Sequence, residues 1–361
     1  MTMSVSLFVV STPLVVPYVS SLGVTAAIDS VLAFVRLDDG RQGCAEVTPI
    51  RGYNEETVDQ VWDNLNGAVP GLVDLQPQAA LARLELLASA RPYSYSPLAA
   101  AMEIALGRLS DVCRSVDQIA EVPIIAPVLS QQFSAVPAEV NALLEAGYTS
   151  LKLKAGMDFE TDLDRVALVQ SCAAQAAQIR IDFNGAYDAE TAIRFVERID
   201  SLGIELIEQP CASDDWKGNL RVARSTSIPT MLDESIKGVE DVRRAGECGG
   251  FRFFKMKLGK FPTLASLDQA YAIGEALGMQ GILGNGAATD VACWVEAQVA
   301  LRHLGPAGEM NGFSKNAVQY LRPAIQCRAG RIQLCDATVR APDMQAIQRN
   351  AVRAAIYGSN P

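Results

Sequence analysis

The chain has 361 residues, enough for two domains or one large domain with additions at about 150 residues per domain. Hydrophobic residues at 49% and charged residues at 20% exclude a disordered chain. A net charge of −10 and a pI near 4.8 argue against nucleic acid as a partner, because phosphates would be repelled.

The first 33 residues are apolar but hold no Lys or Arg before Arg36, so they lack the basic start of a signal peptide. Pro13 and Pro17 would break a membrane helix there. Eight scattered cysteines, with no CxxC pair, fit a reducing compartment better than a disulfide scaffold. The expectation is a soluble cytoplasmic protein with no membrane partner.

Residues 3–11, 29–37 and 42–48 read as strands, with an Asp38-Asp39-Gly40 turn between the last two. Helical patterns follow at 54–68, 76–90 and 96–115. Residues 1–122 thus form an α+β unit. From Pro123 the texture repeats: short apolar strands at 124–129, 150–154, 179–183, 204–207, 230–232, 253–257, 281–283 and 308–311 alternate with helical segments. From the second of them the spacing is roughly 25 to 29 residues, one βα unit each, which implies parallel strands. Eight of them close into an α/β barrel over 123–314. Neither GxGxxG after a strand nor GxxxxGK[ST] occurs, so no nucleotide fingerprint supports an open sheet. The tail, 315–361, carries a strand at 330–334 and a helix around 344–356, and is expected to pack back on the N-terminal unit.

Chemistry is expected where barrel strands end. The second strand ends Lys152-Leu153-Lys154, and alternation puts both lysines on one face, where two ammonium groups depress each other's pKa. The next three strands end in Asp182, Glu208 and Asp233. Three inward carboxylates repel unless a cation neutralises them, and all-oxygen ligation suits Mg²⁺, with Mn²⁺ as a substitute. The sixth strand carries Lys255 and Lys257 on the same parity, which leaves the choice between them open, with Lys260 just beyond. Arg is the general cation of this chain: eight of 31 basic residues are Lys, none before Lys152, and five of the eight stand in these two clusters. Lys can exchange a proton and Arg cannot. The single histidine, His303, lies on a helix after the seventh strand and reads as a surface or packing residue.

Lys152-x-Lys154, Asp182-x-Asn184, Glu208-Gln209-Pro210, Asp233-Glu234 and Lys257-Leu258-x-Lys260 together resemble the enolase superfamily, in its mandelate racemase/muconate lactonizing enzyme family and the muconate lactonizing enzyme subgroup. The resemblance covers nearly the whole chain. It implies a modified TIM barrel, (β/α)7β, with a capping domain built from the N-terminal region and the tail. It further implies metal ligation by Asp182, Glu208 and Asp233, acid–base roles for Lys154 and Lys257, and a tuning role for Lys152. Asn184 and Glu234 would stand behind or beside the ligands. By the same resemblance, specificity loops lie at 18–24 and 48–55, offering Tyr18, Tyr53 and Arg51. The eighth strand, with Glu309 and Asn311, faces the substrate tail.

The seventh strand ends Gly284-Asn285-Gly286, without the histidine of the mandelate racemase branch. The expected activity is abstraction of the proton α to a carboxylate of a small molecule, giving an enediolate. A lysine on each face makes racemisation or epimerisation of an amino-acid derivative the simplest outcome: a dipeptide, an N-acylamino acid or a proline derivative. Cycloisomerisation of muconate type and elimination by a dehydratase or lyase are alternatives on the same scaffold, and a Schiff-base aldolase and a non-catalytic barrel come from other classes. Glu309, as a free acid, would favour an ammonium over a diacid. A homo-oligomer is expected.

Overall fold

Runs of Val, Leu and Phe bury both faces of the first strands over Leu7–Val10 and Val31–Ala33, and β1 (Met3–Ser20) and β2 (Gly23–Leu37) pair antiparallel from Met3↔Leu37 to Ser20↔Gly23. β3 (Gln42–Val47) lies on the far side of β2, and the late strand Ala351–Tyr357 pairs antiparallel with β1. Helices Val58–Ala68, Pro77–Ala90 and Pro92–Ala105 pack on this four-stranded sheet through a core that includes Leu7, Val31, Leu65, Leu84 and Leu98. The computed structural model describes residues 3–20, 23–51, 53–109, 120–303, 305–334 and 340–358.

β1 and β2 run further than the sequence predicts, through Pro13 and Pro17. The late strand covers β1 only over Val5–Val10; beyond it, among the described residues, that edge is met by an isolated bridge at Leu14↔Asn316 and by Ala317 N donating to Pro13 O rather than by a ladder, so a missing N–H costs little. The third helix starts at Pro92 rather than 96 and ends at Ala105; residues 110–115 of its predicted span lie outside the described residues. The predicted tail helix divides into a helix at Met344–Asn350 and the strand that follows. The open edge of β1 supplies hydrogen-bond partners that outweigh local helix propensity.

β4 (Ala120–Pro123) pairs with the strand Arg331–Leu334 outside the barrel. The parallel sheet then runs in consecutive order: β5 (Ala126–Pro127), β6 (Ser150–Lys154), β7 (Gln178–Asp182), β8 (Ile204–Glu208), β9 (Thr230–Leu232), β10 (Phe253–Met256) and β11 (Gln280–Leu283). Asp158, Asp188 and Asp215 each cap a crossover helix by accepting a backbone N–H. The expected eighth strand is reduced to a bridge. Gly308 N donates to Pro123 O and Ile125 N to Gly308 O, both at 2.9 Å, while Glu309 N reaches Leu283 O at 2.9 Å, closing the ring between β11 and β5. Gly305, Pro306 and Gly312 leave this segment no length for a ladder. Among the described residues, no helix is long and apolar enough to cross a membrane.

Candidate active site

Alternation along β6 sends Lys152 and Lys154 to one face and buries Leu151 and Leu153 on the other. Parallel register then aligns the neighbours: Lys154 sits opposite Asp182, and Asp182 opposite Glu208. Asp233 follows directly on β9 and Lys257 on β10, so all of them reach the C-terminal mouth. Asn184 and Gln209 have φ of 46° and 40°, a left-handed backbone that turns each strand end. The Gln209 amide pins two of these ends together. Its Oε1 accepts from Asp233 N at 2.9 Å and Ser235 N at 3.1 Å, and its Nε2 donates to Cys211 O at 2.9 Å.

The side chains form two linked clusters. Lys152 Nζ stands 2.8 Å from Asp182 Oδ2, 2.8 Å from Glu208 Oε2 and 2.9 Å from Glu309 Oε2. Lys154 Nζ donates to Asp182 Oδ2 at 2.6 Å and to Asn184 Oδ1 at 2.5 Å. Asn184 Nδ2 in turn donates to Glu234 Oε1 at 2.9 Å. Across the mouth, Lys257 Nζ donates to Asp233 Oδ2 at 2.8 Å and Lys260 Nζ to Asp233 Oδ1 at 2.7 Å. Lys255 lies deeper, donating to Glu309 and standing 3.7 Å from Glu208 Oε1. The two residues that alternation left undecided thus have different stations: Lys255 inside the barrel, Lys257 at its rim.

Burial works against every charge here, and the neighbours decide the sign. Burial would raise Asp182, Asp233 and Glu309, but adjacent ammonium groups overcome it. Lys152 and Lys154 lower Asp182, Lys257 and Lys260 hold Asp233 well below the carboxylate range, and Lys152 and Lys255 do the same for Glu309. Glu208 goes up, through burial and the negative charge of Asp182. Glu234 rises to about 7 through burial, then Asp233 and Asp182. Burial pulls Lys260 down to about 8. Lys257 departs from the idea that clustered lysines lose their protons: burial lowers it, but Asp233, Tyr93 and Glu234 more than compensate and lift it above its ordinary value.

The donor set suits a hard divalent cation. Both Glu208 carboxylate oxygens and Glu234 Oε2 are buried without a hydrogen bond, although Lys152 and Lys255 lie near Glu208 as ion-pair partners. Among the described residues, however, no three His, Cys, Asp or Glu side chains converge as a metal-holding group. Lysines stand between the carboxylates, Lys152 between Asp182 and Glu208, with Lys257 and Lys260 on Asp233. Lysine ammonium groups and a divalent ion are alternative ways of neutralising the same oxygens.

The segment after β3 reaches the mouth through Tyr53. Tyr53 donates to Asp233 Oδ2 at 2.6 Å and receives a hydrogen bond from Lys257, whose Nζ also lies 4.3 Å from the Tyr53 ring centroid. Glu55 forms an exposed ion pair with Lys237, in the segment after β9, at 2.5 Å. Arg51 is exposed, and the side chain of Tyr18 lies outside the described residues. His303 is away from the mouth, stacked on Tyr271 at 3.8 Å and bonded to Asp268 at 3.0 Å.

Two expectations change on the eighth segment. Glu309 is buried and its carboxylate already faces Lys152 and Lys255, so it offers no free charge to a substrate ammonium. The objection to a diacid that rested on its repulsion falls with it. Asn311 is buried and donates its amide to Ile125 O at 3.0 Å, holding the ring closure. Lys315, which the strand-end reading missed, donates to the Gly286 carbonyl beside Glu309. The scarcity of lysine was the signal that could have found it.

A family model described as Enolase C-terminal domain-like matches residues 135–338. Muconate cycloisomerase 1 of Pseudomonas putida is 29% identical over 263 residues, covering 69% of this chain and 70% of that protein. The aromatic dipeptide epimerase of Herpetosiphon aurantiacus is 27% identical over 303 residues, 78% of this chain and 81% of the epimerase. In architecture, the chain superposes on the crystal structure of muconate lactonizing enzyme from Pseudomonas fluorescens complexed with muconolactone, with a TM-score of 0.88 and 24% identity over 96% of this chain and 98% of that one.

Proposed function

We propose, for a chain that belongs to the mandelate racemase/muconate lactonizing enzyme family of the enolase superfamily and is an isomerase of that superfamily, that it moves the proton α to a carboxylate between two lysines. The observation that carries this reading is the placement of Lys154 and Lys257 at the ends of β6 and β10, with the arc of Asp182, Glu208 and Asp233 between them. A substrate carboxylate resting on that arc leaves its α-carbon between the two lysine side chains, Lys154 acting as the neutral amine and Lys257 as the ammonium. Lys154, positioned by Asp182 and Asn184, takes the proton from one face. Lys257, which Asp233 keeps protonated, returns one on the other. Lys152, buried against Asp182 and Glu208, keeps positive charge behind the developing enediolate.

Asp182, Glu208 and Asp233 are the residues that would hold Mg²⁺ or Mn²⁺, with Glu208 contributing the oxygens that lack hydrogen bonds. When bound, such an ion supplies electrophilic stabilisation of the substrate's carboxylate oxygens. The substrate we favour is an amino-acid derivative, since the aromatic dipeptide epimerase shares the greater length with this chain. Cycloisomerisation is the second reading, carried by the similarity to muconate cycloisomerase 1 and by a Glu309 that no longer repels a diacid.

A panel of dipeptides, N-acylamino acids, prolines and muconates in D₂O tests the reading. The expected result is deuterium incorporation at the α-carbon that stops with EDTA and returns with Mg²⁺. Turnover of a muconate without such exchange on any amino-acid derivative would replace the epimerase reading by the cycloisomerase one, and full activity in a verified metal-free sample would remove the metal.

A further inference from the structure

One helical turn of the capping domain reaches Lys257 from two sides. Lys257 is followed by the buried turn Leu258–Lys260, which Lys260 N closes by donating to Lys257 O at 2.9 Å. Gly259, at its centre, is pressed against the capping domain: a Cβ there would come within 2.7 Å of Tyr93 Cε1 and 2.8 Å of Val47 Cγ2. The backbone at Gly259 lies outside the left-handed region, so close approach rather than turn geometry calls for glycine. Tyr93 stands in the first turn of the helix Pro92–Ala105, and Val47 ends β3. That helix is itself bedded on β3, where a Cβ on Gly43 would collide with Ala101 O.

The same helical turn holds the segment that brings Tyr53 to the mouth. Asn54 donates to the Tyr93 hydroxyl, and its own Oδ1 accepts from Ile50 N at 2.7 Å. Beside Tyr93, the buried Ser94 donates from its backbone N to Glu56 Oε2 at 3.2 Å and from its hydroxyl to Glu56 Oε1. Tyr53, next to Asn54, takes a hydrogen bond from Lys257 and gives one to Asp233. Lys257 is thus held along its backbone through Gly259 and at its Nζ through Tyr53. Tyr93 is common to both routes. Lys154, on the opposite wall, donates to Asp182 and Asn184, which both belong to the barrel.

We propose that Tyr93 is a positioning residue that sets the station of Lys257 from the capping domain, so that proton transfer on the Lys257 face, and not on the Lys154 face, depends on it; the inference rests on the α-proton reading above. Tyr93 acts chiefly through its ring, which leaves the turn at Gly259 no room to shift. An acid or base misplaced by about 1 Å can lose up to about a hundredfold in rate, so a turn released by loss of that ring weakens one half of the exchange.

The test follows α-deuterium exchange of L-alanyl-L-phenylalanine and L-alanyl-D-phenylalanine in D₂O with Mg²⁺. Lys257→Ala identifies which of the two presents its proton to that lysine. Tyr93→Ala is expected to slow exchange of that epimer about tenfold and to leave the other unchanged, the scale of a partial misplacement. Tyr93→Phe keeps the ring and should match wild type. Gly259→Ala forces the turn away from an intact Tyr93 and should reproduce the selective loss; it removes no buried ring, and decides the matter if Tyr93→Ala does not fold. Structures of wild type and Tyr93→Ala, crystallised alike, give a readout without turnover: Lys257 Nζ should leave its wild-type position.

Equal slowing of both epimers, unaltered exchange in Tyr93→Ala, or a Tyr93→Phe as slow as the alanine variant overturns the proposal. A Lys257 that keeps its place in Tyr93→Ala overturns it as well. If Lys257 moves in the variant while wild type exchanges neither epimer, the result supports positioning by Tyr93 and counts against the proton-transfer chemistry. Exchange in wild type with Lys257 unmoved in the variant does the reverse.

Discussion

Tyr53 and Asp233 meet across 2.6 Å, the tyrosine donating from the loop after β3 and the aspartate accepting at the end of β9. The same hydroxyl receives from Lys257, so one residue touches both a lysine proposed for acid–base chemistry and a carboxylate proposed for metal binding. Tyr53→Phe keeps the ring over Lys257 and deletes the hydroxyl. Turnover is expected to fall about tenfold through loss of a charge-assisted hydrogen bond, with Mg²⁺ affinity unchanged or higher because an Asp233 lone pair is released. Steady-state kinetics with a metal titration decides; weaker metal binding in the variant would refute this account.

Lys154→Ala and Lys257→Ala should each reduce turnover by roughly 10²-fold or more, the usual cost of removing a positioned acid or base. If the reaction is a racemisation, each variant should still exchange the α-proton of one enantiomer, and the two should prefer opposite ones. Wild-type turnover in either variant contradicts the two-lysine mechanism.

Glu309→Gln is expected to act on the fold rather than on substrate recognition. It removes a carboxylate shared by Lys152 and Lys255, and breaking buried ion pairs of this kind costs about 3 kcal/mol or more. Urea unfolding of the two proteins measures it. A variant as stable as wild type with a selectively raised KM for amine substrates would return Glu309 to the substrate wall.

Glu296, buried in the helix Asp290–Ala300, is lifted to about 8 by burial, with Glu46 adding to it. Its Oε1 has no hydrogen bond, and with Glu46 it lines a cavity of about 10 Å³ between β3 and the ring, the room of one water molecule. A carboxyl raised in the folded state keeps a proton the unfolded chain has lost. Stability therefore falls as pH rises from near 4.5 to about 8, with a slope of up to about 1.4 kcal/mol per unit, and levels off above. Thermal melts from pH 5 to 9 should show that slope, and Glu296→Gln should flatten it. An unchanged slope in the variant would place the titration elsewhere.

What the sequence discloses here is what depends on near neighbours along it. Alternation places Lys152 with Lys154, and strand ends place Asp182, Glu208 and Asp233 at the mouth, because both follow from period-two geometry and βα spacing. Pairings across the ring are not written locally. Nothing near Glu309 announces that lysines from β6 and β10 will reach it, nor does the segment at 344–356 reveal that half of it completes a sheet begun at Met3. Pro13 and Pro17 argue for a short first strand until the open edge beside them is known. In each case a partner distant in sequence overrides local preference.

The pairing of Ala351–Tyr357 with β1 has a consequence for synthesis. The ribosome makes β1 about 340 residues before its outer neighbour, so until residues 351–357 emerge the capping sheet displays an unpaired edge of Val5, Leu7 and Val9 backbone. The barrel strands, each beside its successor in the chain, can assemble as they emerge. A nascent chain stalled before residue 351 would therefore expose a sticky strand on an otherwise folded body, and is the species a chaperone would meet.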